Sequence, residues 1–215
     1  MNDHNIGVIY EDLAEWFDQN RTKQLLEKPY LEALLPDCRS TASVLDLGCG
    51  SGEPIARFFV EAGCYVTGVD GAANMIDLCR QRFPDMEWIQ ADMRGLQLHR
   101  TFDAVIAWDS FFHLTHDAQR AMFPVFASHT AAGGRLLFTS GSEHGIAYGI
   151  MRDHTVYHAS LDSAEYQSLL EANGFEVLQH TLNDVTCGGR TVWLARKTST
   201  LNTSAHQVNS SSRSA

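Results

Sequence analysis

The stretch VLDLGCGSGEP, residues 44–54, decides the fold. An apolar run ends around Asp46, and three glycines then alternate with small residues. Because glycine has no side chain to hold a neighbour away, such a loop after a buried strand lets a ligand approach the backbone closely. From residue 54 to residue 62 the apolar side chains recur with helical spacing. The stretch therefore predicts a strand, a ligand-binding loop and a helix.

Strand and helix patterns alternate along the rest of the chain. We predict strands at 44–47, 65–69, 86–91, 102–108, 134–140, 175–182 and 189–197, and helices at 54–62, 72–83, 117–131 and 162–173. Seven strands with helices between the first five predict an α/β fold. This fold is a Rossmann-like, doubly wound sheet, mostly parallel with an antiparallel C-terminal strand pair.

The segments outside this alternation complete a single predicted domain at 1–198. Two amphipathic helices are expected within about 5–35, broken near Asn20. Residues 141–160 are predicted to be a long irregular connection, and such connections are often functional. Residues 199–215 are Ser-rich and almost without apolar side chains. They are expected to form a flexible tail, because they cannot bury enough surface to order themselves.

Composition limits the classes of partner. The 215 residues carry a formal net charge of −10, which argues against nucleic acid because phosphate binding relies on Lys and Arg. No apolar run approaches the length of a membrane span, and no signal peptide is expected. The five cysteines are scattered and never spaced as CxxC, which is typical of reduced thiols in a cytoplasmic protein.

A dinucleotide-binding site is the first alternative for the glycine loop. Its fingerprint is GxGxxG, and counting from Gly48 the third glycine position falls on Glu53. A glutamate there would place a side chain and a negative charge against a pyrophosphate. The pattern instead is D-x-G-x-G-x-G, beginning at Asp46. This acid suits a cationic group better than a phosphate.

Three acids lie at or near the carboxyl ends of three successive predicted strands. Asp46 lies in the first, Asp70 ends the second and Asp92 follows the third. Because the carboxyl ends of parallel strands meet at one edge, these acids outline a ligand with an amine, a ribose and an adenine part. The alternative is that each carboxylate is an ordinary cap or turn residue.

The sequence resembles the class I S-adenosylmethionine-dependent methyltransferases over about residues 5–197. VLDLGCGSGEP is similar to their glycine-rich motif, VTGVDGAANMI to the acidic strand-end motif and IQADMRGL to the adenine-side motif. FDAVIAWDSFFHL resembles the fourth-strand motif and GGRLLFTSG the fifth strand. The resemblance implies S-adenosylmethionine as methyl donor and S-adenosylhomocysteine as product.

The resemblance also implies which residues bind the donor. Small-molecule members of the family place a helical lid at the N-terminus, which here carries Tyr10 and Arg21. The implied donor-binding residues are Tyr10, Arg21, Asp46, Gly48, Cys49, Gly50, Gly52, Asp70, Gly71, Asn74, Met75, Asp92, Met93 and Trp108. For Arg21, the alternative to pairing with the donor carboxylate is an ordinary surface position.

The acceptor site is predicted around the end of the fourth strand. Asp109 and His113 are the candidate catalytic residues, because a His beside a carboxylate can act as a base near neutral pH. The alternative is that Asp109 caps a turn and His113 packs on an aromatic ring. Candidate acceptor-binding residues are Phe112, Tyr148, Tyr157 and His158.

Two other chemistries are set aside on the sequence. The fifth strand ends in FTSG without an acid, so no metal is predicted. Cys187 lies in the final strand pair, which predicts a position too far along the sheet for a nucleophile.

These observations predict an enzyme that methylates a small molecule, as a monomer or homodimer, without a nucleic-acid or membrane partner. A non-catalytic adenosylmethionine-binding subunit and a protein side-chain methyltransferase are the alternatives. The sequence does not distinguish oxygen, nitrogen and sulfur acceptors.

Overall fold

A seven-stranded sheet forms the centre of the molecule. The computed structural model describes residues 6–36 and 41–199. The strand order is β3-β2-β1-β4-β5-β9-β8, with β1 to β5 parallel and β9 antiparallel to both of its neighbours. The strands of this sheet are β1 (Ser43–Leu47), β2 (Tyr65–Asp70), β3 (Glu87–Gln90), β4 (Phe102–Ala107), β5 (Thr130–Ser140), β8 (Phe175–Asp184) and β9 (Arg190–Lys197). The predicted fold class is confirmed.

Helices cover both faces of this sheet. Within the described residues they are α1 (Ile6–Asp12), α2 (Ala14–Asn20), α3 (Lys28–Leu34), α4 (Ile55–Glu61), α5 (Ala73–Arg82), α6 (His116–His129) and α7 (Ser163–Ala172). The side chain of Asp162 accepts a hydrogen bond from the backbone N–H of Glu165, which begins α7 at the predicted cap.

Alternation along the strands separates two apolar layers. Val44 faces the layer that contains Phe59 of α4, and Leu45 faces the layer that contains Phe126 of α6 and Phe138 of β5. Because successive side chains of a strand point to opposite faces, adjacent apolar residues of β1 can fill both layers. Burial on both faces explains why the strand reads as a continuous apolar run.

The crevice for a ligand lies where the strand order reverses. β1 pairs with β2 on one side and with β4 on the other. The connections that leave the carboxyl ends of β1 and β4 therefore run in opposite directions and leave a gap between them, which is the usual ligand position in open α/β sheets.

The N-terminal segment contains three helices instead of the predicted two. A break at Leu13 separates α1 from α2, and seven residues separate the end of α2 from the start of α3 at Lys28. Tyr30 of α3 donates a hydrogen bond to Asp184 at the end of β8 (2.5 Å). α1 and α2 pack against α5, whereas α3 packs against β5. Docking of separate short helices on different elements accounts for the breaks, which amphipathic spacing does not reveal.

Residues 141–160 form a β-hairpin, so the prediction of an irregular connection is wrong. β6 (Gly145–Met151) pairs with β7 (His154–Ser160) as a separate two-stranded antiparallel sheet. Arg152, at the turn, adopts a left-handed conformation with φ of 52°. The sequence conceals the hairpin because glycines interrupt β6 and the turn lacks the Asn-Gly or Asp-Gly pair that marks short hairpins.

Two predictions fall partly or wholly on residues that are not described. The Ser-rich tail from residue 200 onward and Cys38 lie outside the described residues. In the part of the chain that is described, no helix combines the length and the apolar character needed to cross a membrane.

Candidate active site

Two adjoining cavities open at the carboxyl ends of the parallel strands. The glycine-loop cavity, about 400 Å³, is bordered by the turn after β1 and the end of β2. The hairpin cavity, about 780 Å³, is bordered by the β6–β7 hairpin, the turn before β9 and the segment after α2. Both volumes lie in the usual range for small-molecule sites. The residues that line both cavities are Tyr10, Phe17, Arg21, Asp109 and His113.

The glycine loop needs glycine for two physical reasons. Gly48, Gly50 and Gly52 have φ values of 76°, 53° and 79°, which side-chain-bearing residues rarely adopt. A Cβ at Gly48 would also lie 2.3 Å from Cβ of Ser110. The loop is tied to β2 because the N–H groups of residues 48 and 49 both donate to the Val69 carbonyl (2.7 and 3.1 Å).

Asp70 holds the loop against the next helix. Its carboxylate accepts hydrogen bonds from the N–H of Gly50 and the N–H of Ala72, both at 2.9 Å. Desolvation raises the pKa of Asp70, while these backbone donors act in the opposite direction. Asp70 lines the glycine-loop cavity. It therefore presents a carboxylate to the position predicted for the ribose.

Asp46 is buried beneath this loop and lines neither cavity. The side chain is 3% exposed, and its backbone pairs with Gly68 and Ile106. Desolvation raises the pKa of Asp46 to about 7, with the Arg21 guanidinium opposing the shift. A buried carboxyl with this pKa changes charge near neutral pH, without contacting a ligand at the cavity wall.

The other residues predicted to bind the methyl donor fall into two groups, those that line the glycine-loop cavity and those that do not. Gly71, Asp92, Met93 and Trp108 line the glycine-loop cavity, as do Gly48, Gly50, Tyr10 and Arg21. Asp92 forms an ion pair with Arg94 (2.6 Å). Cys49, Gly52, Asn74 and Met75 do not line it. Asn74 donates instead to the carbonyl of Glu11 in α1, and Met75 is fully buried against Ala14 and Ala72.

An ion pair ties the N-terminal helices to the glycine loop. Arg82 of α5 donates to both carboxylate oxygens of Asp18 in α2, and its guanidinium also reaches the Ser51 carbonyl (3.0 Å). The Ser51 hydroxyl donates to Asp18 at 2.6 Å. Tyr10 of α1 and Arg21, the residue that follows α2, line both cavities. No local pattern predicts this contact, since its partners lie 33 and 64 residues apart.

His113 uses both ring nitrogens in hydrogen bonds. Nδ1 lies 2.9 Å from the Tyr157 carbonyl and Nε2 lies 3.2 Å from the Tyr10 hydroxyl. Because a carbonyl can only accept, Nδ1 carries the proton and Nε2 accepts from Tyr10. Desolvation lowers the pKa of His113 to about 4, and burial raises the pKa of Tyr10 to about 12. Both side chains are therefore neutral at pH 7.

This geometry does not support a base poised near neutral pH at His113. The carboxylate of Asp109 is bound by Arg190 of β9, whose Nε and a terminal nitrogen approach it to 2.8 and 2.6 Å. Asp109 itself has a φ of 49° and donates its N–H to the Thr139 hydroxyl (2.9 Å). Arg190 thus holds a carboxylate on a backbone conformation that is uncommon outside glycine. The sequence reading missed Arg190.

The hairpin cavity receives part of the predicted acceptor set. Phe112 and His158 line it. Tyr157 is buried and contributes its carbonyl to His113, whereas Tyr148 is 57% exposed and lines neither cavity. Phe111 packs in the core against Phe138, with ring centroids 5.4 Å apart. The two neighbouring phenylalanines therefore have different environments.

The charged side chains of the hairpin cavity are mostly paired. Arg190 is bound to Asp109, and Arg21 lies 4.0 Å from the buried carboxylate of Glu27. Glu143 also lines the cavity and is exposed. Desolvation raises the pKa of Glu27. Two guanidinium groups thus face three carboxyl groups.

Cys187 lies closer to this cavity than the sequence predicted. It ends a short 3₁₀ turn, and the residues that follow it, 188–190, line the hairpin cavity. The thiol is buried, and desolvation raises its pKa to about 11. A neutral thiol is a poor nucleophile. Among the described residues, no group of three or more His, Cys, Asp or Glu side chains is arranged to hold a metal ion.

Comparison with known proteins finds a family model that matches the central part of the chain. Residues 44–134 match the family model described as a methyltransferase domain. The match begins in β1 and ends within β5, and it includes the glycine loop, Asp70, Asp92 and Asp109.

Two curated relatives are similar over part of their length. A dTDP-3-amino-3,4,6-trideoxy-alpha-D-glucopyranose N,N-dimethyltransferase of Streptomyces venezuelae is 35% identical over 43% of this chain and 40% of its own. A malonyl-[acyl-carrier protein] O-methyltransferase of Enterobacter lignolyticus is 32% identical over 63% of this chain and 53% of its own. The matched region thus spans about half of each relative or less.

A solved structure is similar over nearly the whole fold. The adenosylmethionine-bound amino pentose methyltransferase CalS10 of Micromonospora echinaspora superimposes with a TM-score of 0.66. The match covers 88% of this chain and 97% of that protein at 22% identity. At this identity the likeness establishes the fold.

Proposed function

Since residues 44–134 match the methyltransferase-domain family model and the sheet has the fold of the class I enzymes, we propose that this chain methylates a small molecule with adenosylmethionine as donor. The observation that carries the proposal is the pair of cavities with a common wall. A donor in one and an acceptor in the other would meet at Tyr10, Asp109 and His113. Alignment of two reactants accounts for much of the catalysis of such a transfer.

The glycine-loop cavity fits the donor. A Cβ added at Gly50 or at Gly71 would meet no atom within 4 Å, so the backbone there borders open space that a ligand can fill. Asp70 would bind the ribose hydroxyls of adenosylmethionine. Met93 and Asp92 would lie beside its adenine ring, and Arg21 beside the carboxylate of its methionine part. When bound, adenosylmethionine supplies a methyl group on a positively charged sulfur, which is already a good leaving group.

Tyr10 and His113 would seal the junction of the two cavities. Their hydrogen bond joins α1 to the turn after β4. Because both groups are neutral at pH 7, they would place no charge beside a sulfonium. Excluding water there strengthens the remaining electrostatic contacts and prevents hydrolysis of the donor.

The charges of the hairpin cavity favour a neutral or cationic acceptor. The guanidinium of Arg190 is bound to Asp109, and that of Arg21 faces Glu27. A polyanionic acceptor would have to displace these carboxylates, whereas an amine or a hydroxyl would not. We therefore propose an amine or hydroxyl compound as acceptor.

The experiment supplies methyl-labelled adenosylmethionine to the purified protein with a metabolite extract and, separately, with a protein extract. We expect label in small molecules and adenosylhomocysteine in equal amount. Label confined to proteins would establish the side-chain methyltransferase alternative. Saturable donor binding without transfer to either extract would establish the non-catalytic alternative. Asp70→Asn serves as the donor-site control and should lower transfer in every arm.

A further inference from the structure

The ring of His158 has no hydrogen-bond partner among the described residues. It lies in β7, lines the hairpin cavity and is half-buried. Its ring centroid is 4.9 Å from that of His113 and 4.9 Å from that of Phe112. Within residues 6–36 and 41–199, neither of its ring nitrogens is hydrogen-bonded, whereas both nitrogens of His113 are. The imidazole is thus fixed by aromatic packing and leaves its polar atoms available.

We propose that His158 is the general base that takes the proton of the methyl acceptor. This inference rests on the proposed function. In the step, the acceptor nitrogen or oxygen forms a bond to the methyl carbon, and the carbon–sulfur bond breaks with its electron pair going to sulfur. The proton leaves the acceptor atom and binds a ring nitrogen of His158. Atoms and charge balance without an oxidant or a metal.

The other candidate bases near the cavity junction are already engaged. His113 accepts from Tyr10 and donates to a carbonyl. Asp109 is bound by Arg190 through three short contacts. Nε2 of His113 must break its hydrogen bond with Tyr10 before it can accept a proton, and the Asp109 carboxylate is oriented toward the Arg190 guanidinium. The ring of His158 has neither constraint among the described residues.

The charge state of His158 suits this role. Desolvation lowers its pKa below the ordinary value, and the nearby Asp109 carboxylate opposes the shift. The charged and titratable groups that face it are His113, on the 3₁₀ turn against which it packs, and Asp109. His158 is therefore neutral at pH 7. A modest base suffices, because the acceptor proton becomes more acidic as the new bond forms.

Gly149 on the paired strand makes room for the imidazole. A Cβ at Gly149 would lie 3.1 Å from Cε1 of His158 and 3.0 Å from a methyl carbon of Val156. Gly149→Ala should therefore displace the ring while leaving it chemically intact. This variant separates loss of position from loss of the group.

The first test requires no acceptor. Diethyl pyrocarbonate, which acylates free neutral imidazole nitrogens, is applied at pH 7 and the modified histidines are mapped by peptide mass spectrometry. We expect His158 to react at least about tenfold faster than His113, which is 6% exposed. Equal or slower reaction of His158 would overturn the inference.

The second test compares initial rates of label transfer to the metabolite extract. His158→Gln should lower the rate about 10²–10⁴-fold and abolish the fall of the wild-type rate at acidic pH. Binding of adenosylhomocysteine, measured by calorimetry, should be unchanged. His154→Gln, on the same strand but lining neither cavity, should keep the wild-type rate.

The outcomes separate the two proposals. An active wild type with an equally active His158→Gln variant overturns the base assignment alone. An inactive wild type overturns the proposed function and this inference with it. Should His158→Gln fail to fold, His158→Asn is measured in the same way: a wild-type rate and pH profile in that variant would contradict the assignment.

Discussion

The hydroxyl of Tyr10 lies 3.2 Å from Nε2 of His113, although 103 residues separate them in the chain. This contact joins the first helix to the turn after β4 at the boundary of the two cavities. It makes the N-terminal helices part of the site wall. The wall between donor and acceptor is therefore assembled from segments that neither strand order nor local sequence brings together.

Replacing Tyr10 tests this contact. Tyr10→Phe would leave the buried Nε2 of His113 without its donor, so we expect the free energy of unfolding to fall by about 1–3 kcal/mol. Urea denaturation provides the measurement. Tyr148→Phe, a matched change at a site 57% exposed, should change stability by less than about 0.5 kcal/mol. Equal effects of the two variants would show that the Tyr10 hydrogen bond contributes nothing.

Acid should destabilise the protein through His113. Its pKa falls from an ordinary value of 6.5 to about 4 on folding, so the folded state binds fewer protons in this window than the unfolded state. The stability is fully present above pH 6.5 and is lost as the pH falls toward 4, by on the order of 3 kcal/mol. His113→Gln should flatten this part of the curve of unfolding free energy against pH. If the unfolding free energy of the variant depended on pH as steeply as that of wild type, His113 would not be the group that titrates in this range.

Asp46 should act in the opposite direction. Its pKa rises from 3.8 to about 7 on folding, so the stability contributed by the neutral carboxyl is fully present below pH 3.8 and lost as the pH rises through 7. Asp46→Asn removes the ionisation. We expect the variant to be more stable than wild type at pH 8, by on the order of a few kcal/mol, with the gap closing at pH 4. A gap independent of pH would show that Asp46 does not titrate this way.

The contact between Asp18 and Arg82 should slow escape of the donor. The Asp18 carboxylate in α2 binds Arg82 of α5 and the hydroxyl of Ser51. Asp18→Asn removes its negative charge. A charge-assisted hydrogen bond contributes about 1.5–3 kcal/mol, so adenosylhomocysteine should dissociate at least roughly tenfold faster. Stopped-flow tryptophan fluorescence measures this rate. Asp117→Asn, which breaks an exposed pair with Arg120, provides the control and should have no effect. Equal rates in both variants would contradict the role of α2 as a lid.

The sequence predicted the elements whose signals are local. The apolar run at β1, the glycines of the loop and the cap at Asp162 each act within a few residues, and each lies where predicted. The positions of Asp70 and Asp92 beside the glycine-loop cavity could be predicted because both residues lie at strand ends. Chain-order rules then brought these strand ends to one edge of the sheet.

The remaining features depend on contacts between distant segments. Arg190 reaches Asp109 across 81 residues, and the hairpin packs against the turn that carries His113. The charge state of His113 also depends on burial by those partners, which one sequence does not display. For the same reason the sequence favoured His113 over His158 as the base.

The most direct test of the central claim is a calorimetric titration of the protein with adenosylhomocysteine. A donor site at the end of β2 should bind one molecule of adenosylhomocysteine per chain in a saturable manner. Asp70→Asn should weaken this binding at least roughly tenfold, because one carboxylate oxygen at the cavity wall becomes a hydrogen-bond donor. Absence of binding to folded wild-type protein, or equal affinity in the variant, would contradict a donor site at the end of β2.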